Sequence, residues 1–294
     1  MSSINKESIS TTLYSYTKVF GDPPNEFPVK FELPSLTVYD QKKTMMCVGY
    51  GIATALEILY GKQFSPSWCY GKYRDKTHKG QGLYFIRAID YLCKLGGVPL
   101  ADFGAIEEVP KILELVENHP ELLDIAKKYK PEGYCNLNYA NNELRDRCIK
   151  DALSRYQEGV AVIATSDKYF AANHCIAIVG WNDETNSYIF QNSEGVDYKN
   201  DGRGEIPKDK IGEVCAIFTT PFVLPFKDVP KDDWGYKDIQ TMYLSGIVNG
   251  VSEDKFEPDG YLTRREMCVM LNRYAKKVDE QAARNIMLAY EAED

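Results

Sequence analysis

The clearest pattern of apolar and polar positions lies in residues 40–60. A polar, turn-prone start leads to Cys47, after which the chain becomes apolar up to Gly61. The apolar residues recur at three- and four-residue steps: Ile52, Ala55, Leu56 and Leu59. This spacing is typical of one helix face, so it predicts a buried helix that begins at Cys47 and ends near Gly61.

Helical spacing dominates the first half of the chain, and β-branched runs dominate the second half. Further helices are predicted from Ser65 onward and over 83–95, 106–129 and 141–156. A short strand-like segment is predicted at 33–39, and longer strands at 159–165, 174–181, 187–192 and 214–219. Helices followed by strands indicate an α+β fold with segregated layers.

A proline-containing linker at 221–225 separates two kinds of pattern. Residues 226–278 read as a helix, a Gly/Asp/Pro-rich loop and a second helix. We therefore place a boundary near Leu224. The expected organisation is an N-terminal arm at 1–30, a main domain at 31–224, and a small all-α module with a helical tail at 225–294.

Composition excludes several functional classes. The net charge is −8 and there is no basic stripe, so no nucleic-acid partner is expected. No apolar run approaches the roughly 20 residues of a membrane span, and no membrane association is expected. The eight cysteines show no C-x-x-C spacing, and neither metal nor organic cofactor is implied. The N-terminus does not resemble a secretory signal, so synthesis in the cytoplasm is expected.

The candidate chemistry begins at Cys47. Backbone N–H groups and the positive end of the helix dipole at a helix start favour thiolate over thiol. Gln41, six positions upstream, supplies a neutral amide donor. A thiolate with an amide donor nearby is half of an acyl-transfer site.

A base and an orienting amide follow later in the chain. Of the three histidines, His78 and His119 lie in polar segments and are expected to face solvent, whereas His174 opens an apolar strand after Asn173. Asn192 ends the next strand. The order Cys47, His174, Asn192 predicts a nucleophile, a base and an amide that fixes the imidazole tautomer.

Three ordered segments carry a resemblance to papain-like cysteine peptidases. Residues 40–57 (DQKKTMMCVGYGIATALE) resemble the DQ-x5-C segment that bears the nucleophile, and 173–181 (NHCIAIVGW) resemble the base segment. Residues 188–207 (YIFQNSEGVDYKNDGRGEIP) resemble the Asn segment and its Gly-rich hairpin. The resemblance covers about residues 31–222. It implies a helical lobe and a β-rich lobe with a cleft between them.

The resemblance also implies residue roles. Cys47 would be the nucleophile, His174 the base and then the acid, and Asn192 the orienting amide. The Gln41 side chain and the Cys47 backbone N–H would form the oxyanion hole. The residues expected to contact substrate are Gly80, Gly82, Leu83, Asn173 and Glu194. A helix-start turn is the alternative interpretation of residues 80–83.

Four positions depart from the family pattern. Thr44 replaces a cysteine that usually forms a disulfide in this loop, which fits a reducing origin. Met46 and Val48 replace a small and an aromatic neighbour of the nucleophile. Glu194 replaces a tryptophan that shields the Asn–His contact, and a carboxylate there would either stabilise imidazolium or admit water and weaken the pair.

Residues 226–278 resemble a single S-layer homology module. The markers are Phe226-x-Asp228-Val229, Trp234, Gly246-Ile247-Val248-x-Gly250, Phe256-x-Pro258 and Thr263-Arg264-Arg265-Glu266. Thr263 and Glu266 form a capping-box pattern. The residues expected to pack between two helices are Trp234, Ile239, Met242, Tyr243, Leu244, Met267, Met270 and Leu271. The resemblance implies binding to anionic cell-wall polysaccharide through Arg264, and a bacterial or phage origin.

The leading hypothesis is a cysteine endopeptidase that acts on peptides or proteins and is targeted to a bacterial cell wall. One alternative is a non-catalytic protein that binds peptide and glycan. Another is a transpeptidase or deamidase that uses the same triad. A lone module would either dock on the peptidase domain or form a homotrimer with other chains. A wall location without an export signal implies either that a leader is missing from this sequence or that the protein is released by lysis, as phage-encoded wall-active proteins are.

Overall fold

The computed structural model describes residues 13–74, 82–166, 169–170 and 173–290, with side chains described up to residue 279. His78 and Gly80 lie outside the described residues. The chain divides into two compact units. Residues 22–220 form the larger unit, and the segments on either side of it together form the smaller unit.

The secondary structure follows in chain order. The described helices are α1 (Tyr16–Phe20), α2 (Cys47–Tyr60), α3 (Pro66–Tyr73), α4 (Phe85–Leu95), α5 (Leu100–Phe103), α6 (Val109–Asn118), α7 (Leu122–Ala126), α8 (Asn142–Ser154), α9 (Tyr236–Leu244) and α10 (Arg264–Tyr290). The described strands are β1 (Leu13–Tyr14), β2 (Lys30–Glu32), β3 (Gly133–Asn136), β4 (Val160–Ser166), β5 (His174–Asn182), β6 (Ser187–Gln191), β7 (Arg203–Pro207) and β8 (Ile211–Phe218). Short 3-10 turns lie at Lys127–Tyr129, Tyr156–Glu158 and Lys208–Lys210.

Helix α2 is the central helix of the larger unit. It begins at Cys47 and ends before Gly61, whose φ of 66° is left-handed, as the sequence predicts. Two glycines on α2 allow close packing. A Cβ at Gly49 would lie 2.7 Å from the Pro66 carbonyl oxygen, and one at Gly51 would lie 2.6 Å from Cys175 Sγ. The helix therefore approaches α3 and β5 closely, and this packing fixes its first residue.

An antiparallel sheet forms the other layer of this unit. Its strand order is β3-β8-β4-β5-β6-β7, and β2 pairs with β5. In β5, His174 opposes Ser166 of β4, while Ala177 opposes Gln191 of β6. The start of β5 and the end of β6 meet at one end of the sheet because the two strands are antiparallel. Helices with an antiparallel sheet confirm the predicted α+β class.

Several predicted elements differ from the structure. The helix expected over 106–129 is divided into α6, α7 and a 3-10 turn, because Pro120 follows His119 and cannot continue helical hydrogen bonding. Segment 33–39 is not a strand; the strand in this region is β2, a few residues earlier. Strands β3 and β7 are short and lack the β-branched run that identifies β4 and β5.

The smaller unit joins α9 and α10 to the N-terminal segment 13–21. Ser15 N donates to the Leu244 carbonyl oxygen at 2.7 Å. Lys18 Nζ donates to Asn249 Oδ1 at 2.9 Å and lies 4.5 Å from the centre of the Tyr243 ring. The buried residues of its apolar cluster are Leu224, Phe226, Val229 and Tyr236. The described N-terminal residues are therefore part of this unit.

The apolar side chains of helix α10 are more exposed than the sequence predicts. Its capping box is present: Thr263 Oγ1 donates to Glu266 Oε2 at 2.7 Å, and Glu266 N donates back to Thr263 Oγ1 at 3.2 Å. However, Met267 and Leu271 are exposed at 46% and 58%, and Trp234 is exposed at 95%. The expected burial of these three side chains between two helices is therefore wrong within the described chain. None of the described helices has the length and apolar character needed to cross a membrane.

Candidate active site

Cys47 is a half-buried thiol at the first residue of α2. Met46 before it provides no side-chain cap, so the helix start keeps free N–H groups. Burial acts to raise the pKa of Cys47, but a hydrogen bond and the positive charge of His174 act against it. The backbone N–H groups of Cys175 and Val48 also favour the thiolate. The net effect is a pKa below the usual thiol value.

The other cysteines lack this environment. All eight cysteines are free thiols. Burial raises the pKa of Cys69 to about 12 and raises that of Cys175 well above its usual value. Cys47 is thus the thiol that combines partial exposure with a lowered pKa.

His174 lies between Cys47 and Asn192. Its Nε2 lies 2.7 Å from Asn192 Oδ1. The other ring nitrogen, Nδ1, is therefore the one available to hydrogen-bond Cys47 Sγ. Burial acts to lower the pKa of His174. The hydrogen bonds to Cys47 and Asn192 and the charges of Cys47 and Glu194 outweigh burial, so the pKa is raised above the usual histidine value. A lowered thiol pKa beside a raised imidazole pKa favours a thiolate–imidazolium pair.

Asn192 is buried, and each end of its amide has a partner. Oδ1 also accepts from Ser193 N at 2.9 Å, and Nδ2 donates to Glu194 Oε2 at 3.0 Å. The Asn192 backbone N–H donates to the Gly202 carbonyl oxygen at 2.8 Å. The side chain is therefore fixed in one orientation toward His174.

Gln41 is joined to the Asn192 segment by hydrogen bonds. Its backbone N–H donates to the Ser193 carbonyl oxygen at 2.7 Å, and Ser193 Oγ donates to its Oε1 at 2.7 Å. Gln41 Nε2 donates a hydrogen bond to the Thr44 carbonyl oxygen at 3.2 Å, which leaves its second N–H group for another acceptor. With Oε1 occupied by Ser193, Nε2 remains the donating end of the amide, as an oxyanion hole requires.

Phe170 covers the imidazole from the β4–β5 connection. Its ring centre lies 4.8 Å from that of His174 and 5.7 Å from that of Phe190. Phe170 could not be predicted from the sequence because it lies in an irregular segment without a periodic pattern. Ser193 is also absent from the predicted site residues, although its position next to Asn192 is a signal that could have identified it.

The residues predicted to contact substrate have mixed surroundings. Gly82 is partly buried, and a Cβ there would lie 4.0 Å from the carbonyl oxygen of Met45, two residues before Cys47. Leu83 is partly buried and Asn173 is exposed. Glu194 is exposed, and its Oε2 accepts a hydrogen bond from Asn192 Nδ2. His119 pairs with Glu121 at 2.7 Å, and no metal-holding group of His, Cys, Asp and Glu exists among the described residues.

Sequence comparison identifies the C-terminal part of the chain. Residues 225–268 match the family model of the S-layer homology domain. Outer membrane protein alpha of Thermotoga maritima is 28% identical over 68 residues, which are 23% of this chain and 17% of that protein. An endoglucanase of a Bacillus species is 43% identical over 49 residues, which are 17% of this chain and 5% of that protein. The chain thus spans only a small part of these curated relatives.

Structure comparison identifies the fold of most of the chain. Xylellain, a cysteine protease from Xylella fastidiosa, aligns with a TM-score of 0.56 and 17% identity, over 71% of this chain and 92% of that one. The clostridial cysteine protease Cwp84 aligns with a TM-score of 0.48 and 17% identity, over 63% of this chain and 55% of that one. The chain has the fold of the papain-like cysteine proteases. It also carries an S-layer homology domain at residues 225–268.

Proposed function

We propose that the protein is a cysteine endopeptidase that hydrolyses peptide bonds through a thioester acyl-enzyme. The observation that carries this proposal is the hydrogen-bonded series Cys47–His174–Asn192, in which His174 and two backbone N–H groups lower the pKa of the partly exposed Cys47 thiol. The fold supports it, because papain-like proteases share this architecture.

Acylation is the first step. The Cys47 thiolate attacks the carbonyl carbon of the scissile peptide, and the carbonyl oxygen becomes an oxyanion. In this proposal, the Gln41 Nε2–H group and the Cys47 backbone N–H stabilise that charge. The C–N bond then breaks as His174 gives its proton to the leaving amine, and a thioester remains on Cys47.

Deacylation is the second step. Neutral His174 removes a proton from water, and the resulting hydroxide attacks the thioester carbonyl carbon. The C–S bond breaks, the carboxylic acid product leaves, and the thiolate–imidazolium pair is restored. Asn192 Oδ1 holds Nε2–H throughout, so that Nδ1 exchanges the proton.

A peptide library with an added amine tests the proposal. The protein is incubated with the library, and the products are separated by mass. Carboxylic acid products together with new N-termini support an endopeptidase and give its subsite preference. Amine-capped products would instead indicate a transpeptidase, and side-chain deamidation would indicate a deamidase. No product, with slow alkylation of Cys47 at pH 6, would favour the non-catalytic peptide-binding alternative.

The S-layer homology domain supports cell-surface or cell-wall association. Arg264, the residue proposed to contact anionic polysaccharide, is exposed at the first position of α10. Its neighbour Arg265 is exposed as well, and the capping box is made by Thr263 and Glu266. Either arginine can thus be replaced without removing the cap.

Replacement of Arg264 by alanine is expected to weaken sedimentation with purified bacterial cell walls. A lost charge-assisted hydrogen bond of about 1.5–3 kcal/mol corresponds to roughly ten- to hundredfold weaker binding. Arg265→Ala is the matched control because it removes the same charge at the adjacent exposed position. Equal binding by both variants and the unmodified chain would contradict the role of Arg264.

A stripe on α10 supports assembly with other copies of the chain. The exposed apolar residues Met267, Leu271, Tyr274 and Val278 are spaced by four, three and four positions. That is the spacing of a coiled-coil seam, which is covered by an equivalent helix of another chain. We propose a homotrimer through this stripe, because polysaccharide-binding units of this family commonly hold three modules.

Leu271→Glu is therefore expected to convert an oligomer into a monomer. A carboxylate in the centre of an apolar seam would be buried without a partner, which disfavours association strongly. Light scattering of the unmodified protein should give about three times the chain mass of 33.4 kDa. The Leu271→Glu variant should give the mass of a single chain. Asn272→Glu adds the same charge beside the stripe and should leave the oligomer intact. A monomeric unmodified chain would remove the trimer proposal.

A further inference from the structure

We infer that Glu194 is a positioning residue that holds the Asn192 amide with its oxygen toward His174. This inference rests on the proposed peptidase function, since it assigns Glu194 to the same site. It differs from the sequence-based expectation that Glu194 contacts substrate.

The orientation of the Asn192 amide matters for proton transfer. The two ends of a carboxamide have nearly the same shape, but Oδ1 accepts hydrogen bonds and Nδ2 donates them. If the amide were reversed, Nδ2 would face His174 Nε2, which would then have to be unprotonated. The proton of neutral His174 would then lie on Nδ1, so Nδ1 could not accept a proton as a base. In imidazolium, the Nε2–H group would point at the Nδ2–H group of Asn192, and two donors would oppose each other.

Glu194 selects the productive orientation because an ionised carboxylate only accepts hydrogen bonds. Its Oε2 lies 3.0 Å from Asn192 Nδ2, where the reversed amide would place an oxygen. The Ser193 N–H, at 2.9 Å from Oδ1, favours the same orientation from the other end. Glu194 is held near the site by the backbone bridge between its residue and Asp40, and by the hydrogen bond from Gly195 N to the Tyr39 carbonyl oxygen.

The Glu194 carboxylate also places a negative charge on the Asn192 side of His174, opposite Cys47. Among the described residues, the charged groups facing His174 are Cys47 on α2 and Glu194 after β6. Ser166 on β4 and Phe170 are uncharged neighbours. A thiolate on one side and a carboxylate on the other both favour imidazolium, so removal of the carboxylate should destabilise the protonated ring.

Two substitutions separate the hydrogen bond from the charge. Glu194→Gln retains an acceptor oxygen for Asn192 but removes the charge, whereas Glu194→Ala removes both. For peptide hydrolysis, we expect Glu194→Ala to lower kcat about tenfold with little change in KM, since the loss of a charged hydrogen bond is of that order. Glu194→Gln should lower kcat less, and the alkaline limb of its pH profile should move to lower pH.

The control is Asp197→Asn, which removes one negative charge from an exposed position three residues further along. It should leave both kcat and the alkaline limb unchanged. If the alkaline limb moved by the same amount in Asp197→Asn and in Glu194→Gln, the effect would come from net charge and not from the position of Glu194. That result would overturn the inference.

A second measurement does not depend on hydrolysis. The chain has three histidines, so the ring signals of His174 can be assigned in NMR spectra by comparison with a His174 variant. Titration should give a lower pKa for His174 in Glu194→Gln than in the unmodified chain and no change in Asp197→Asn. An unchanged pKa of His174 together with unchanged kcat in Glu194→Ala would overturn the inference. Absence of hydrolysis by the unmodified chain, with the expected NMR shift, would instead reject the peptidase proposal alone.

Discussion

Replacement of Cys47 by alanine is expected to lower kcat for peptide hydrolysis by about 10⁴- to 10⁶-fold, the range found when a catalytic nucleophile is removed. The reason is that no other described thiol combines a lowered pKa with a position beside His174. Labelling by a thiol-directed epoxide should disappear as well. Initial rates on the best library peptide and the mass of the labelled protein are the two measurements.

Cys268→Ala is the matched control for Cys47→Ala. Cys268 is the exposed cysteine of α10 and is not one of the proposed site residues, so its removal is a control for the loss of a thiol. This variant should keep full activity and full epoxide labelling. Full hydrolysis by Cys47→Ala would remove the nucleophile role and with it the proposed mechanism.

Loss of the His174 imidazole should abolish rapid alkylation of Cys47 at low pH. The pKa of Cys47 is lowered and that of His174 is raised, and both shifts favour the thiolate–imidazolium pair over the neutral pair. In His174→Ala, burial still raises the pKa of Cys47, but the hydrogen bond and charge that lower it are gone. The thiolate fraction should therefore fall about tenfold for each pH unit below the ordinary thiol pKa of about 8.5, and alkylation at pH 6 should slow roughly hundredfold or more.

Alkylation rates by iodoacetamide from pH 5 to pH 9 are the measurement for this prediction. The unmodified chain should show a plateau that extends below pH 7, whereas His174→Ala should show a single rise near the ordinary thiol range. His119→Ala removes a histidine that pairs with Glu121 and should keep the plateau. Identical profiles for all three proteins would show that His174 does not activate the thiol.

The elements that position the site could be predicted because their signals are local. The start and end of α2 follow from helical spacing and from one glycine, Gly61, that adopts a left-handed conformation. Strands β4 and β5 follow from β-branched runs. The division of residues 106–129 is signalled by Pro120, because proline interrupts helical hydrogen bonding.

The candidate residues could be predicted from order and spacing, whereas their mutual contacts could not. Cys47, His174 and Asn192 are 127 and 18 positions apart along the chain, and only the fold brings them together. The hydrogen bond from Ser193 Oγ to Gln41 spans 152 positions and has no sequence pattern. The contact of Phe170 with His174 likewise follows no helical or strand spacing.

The smaller unit was the least predictable part. The exposure of Trp234 and Met267 could not be read from residues that are apolar and helically spaced, because the same pattern describes a buried face and a face that other chains cover. No sequence pattern indicates that Ser15 and Lys18 form hydrogen bonds with Leu244 and Asn249, more than 200 positions away.

The participation of segment 13–21 in the smaller unit has a consequence for biosynthesis. Residues 22–220 are continuous, so this unit is complete on the ribosome while later residues are still being added. Ser15 and Lys18, by contrast, are made before this unit, whereas their partners Leu244 and Asn249 are translated after it. Segment 13–21 therefore cannot form these hydrogen bonds until residues 244–249 have been made, so it is synthesised before the larger unit but completes its contacts after it.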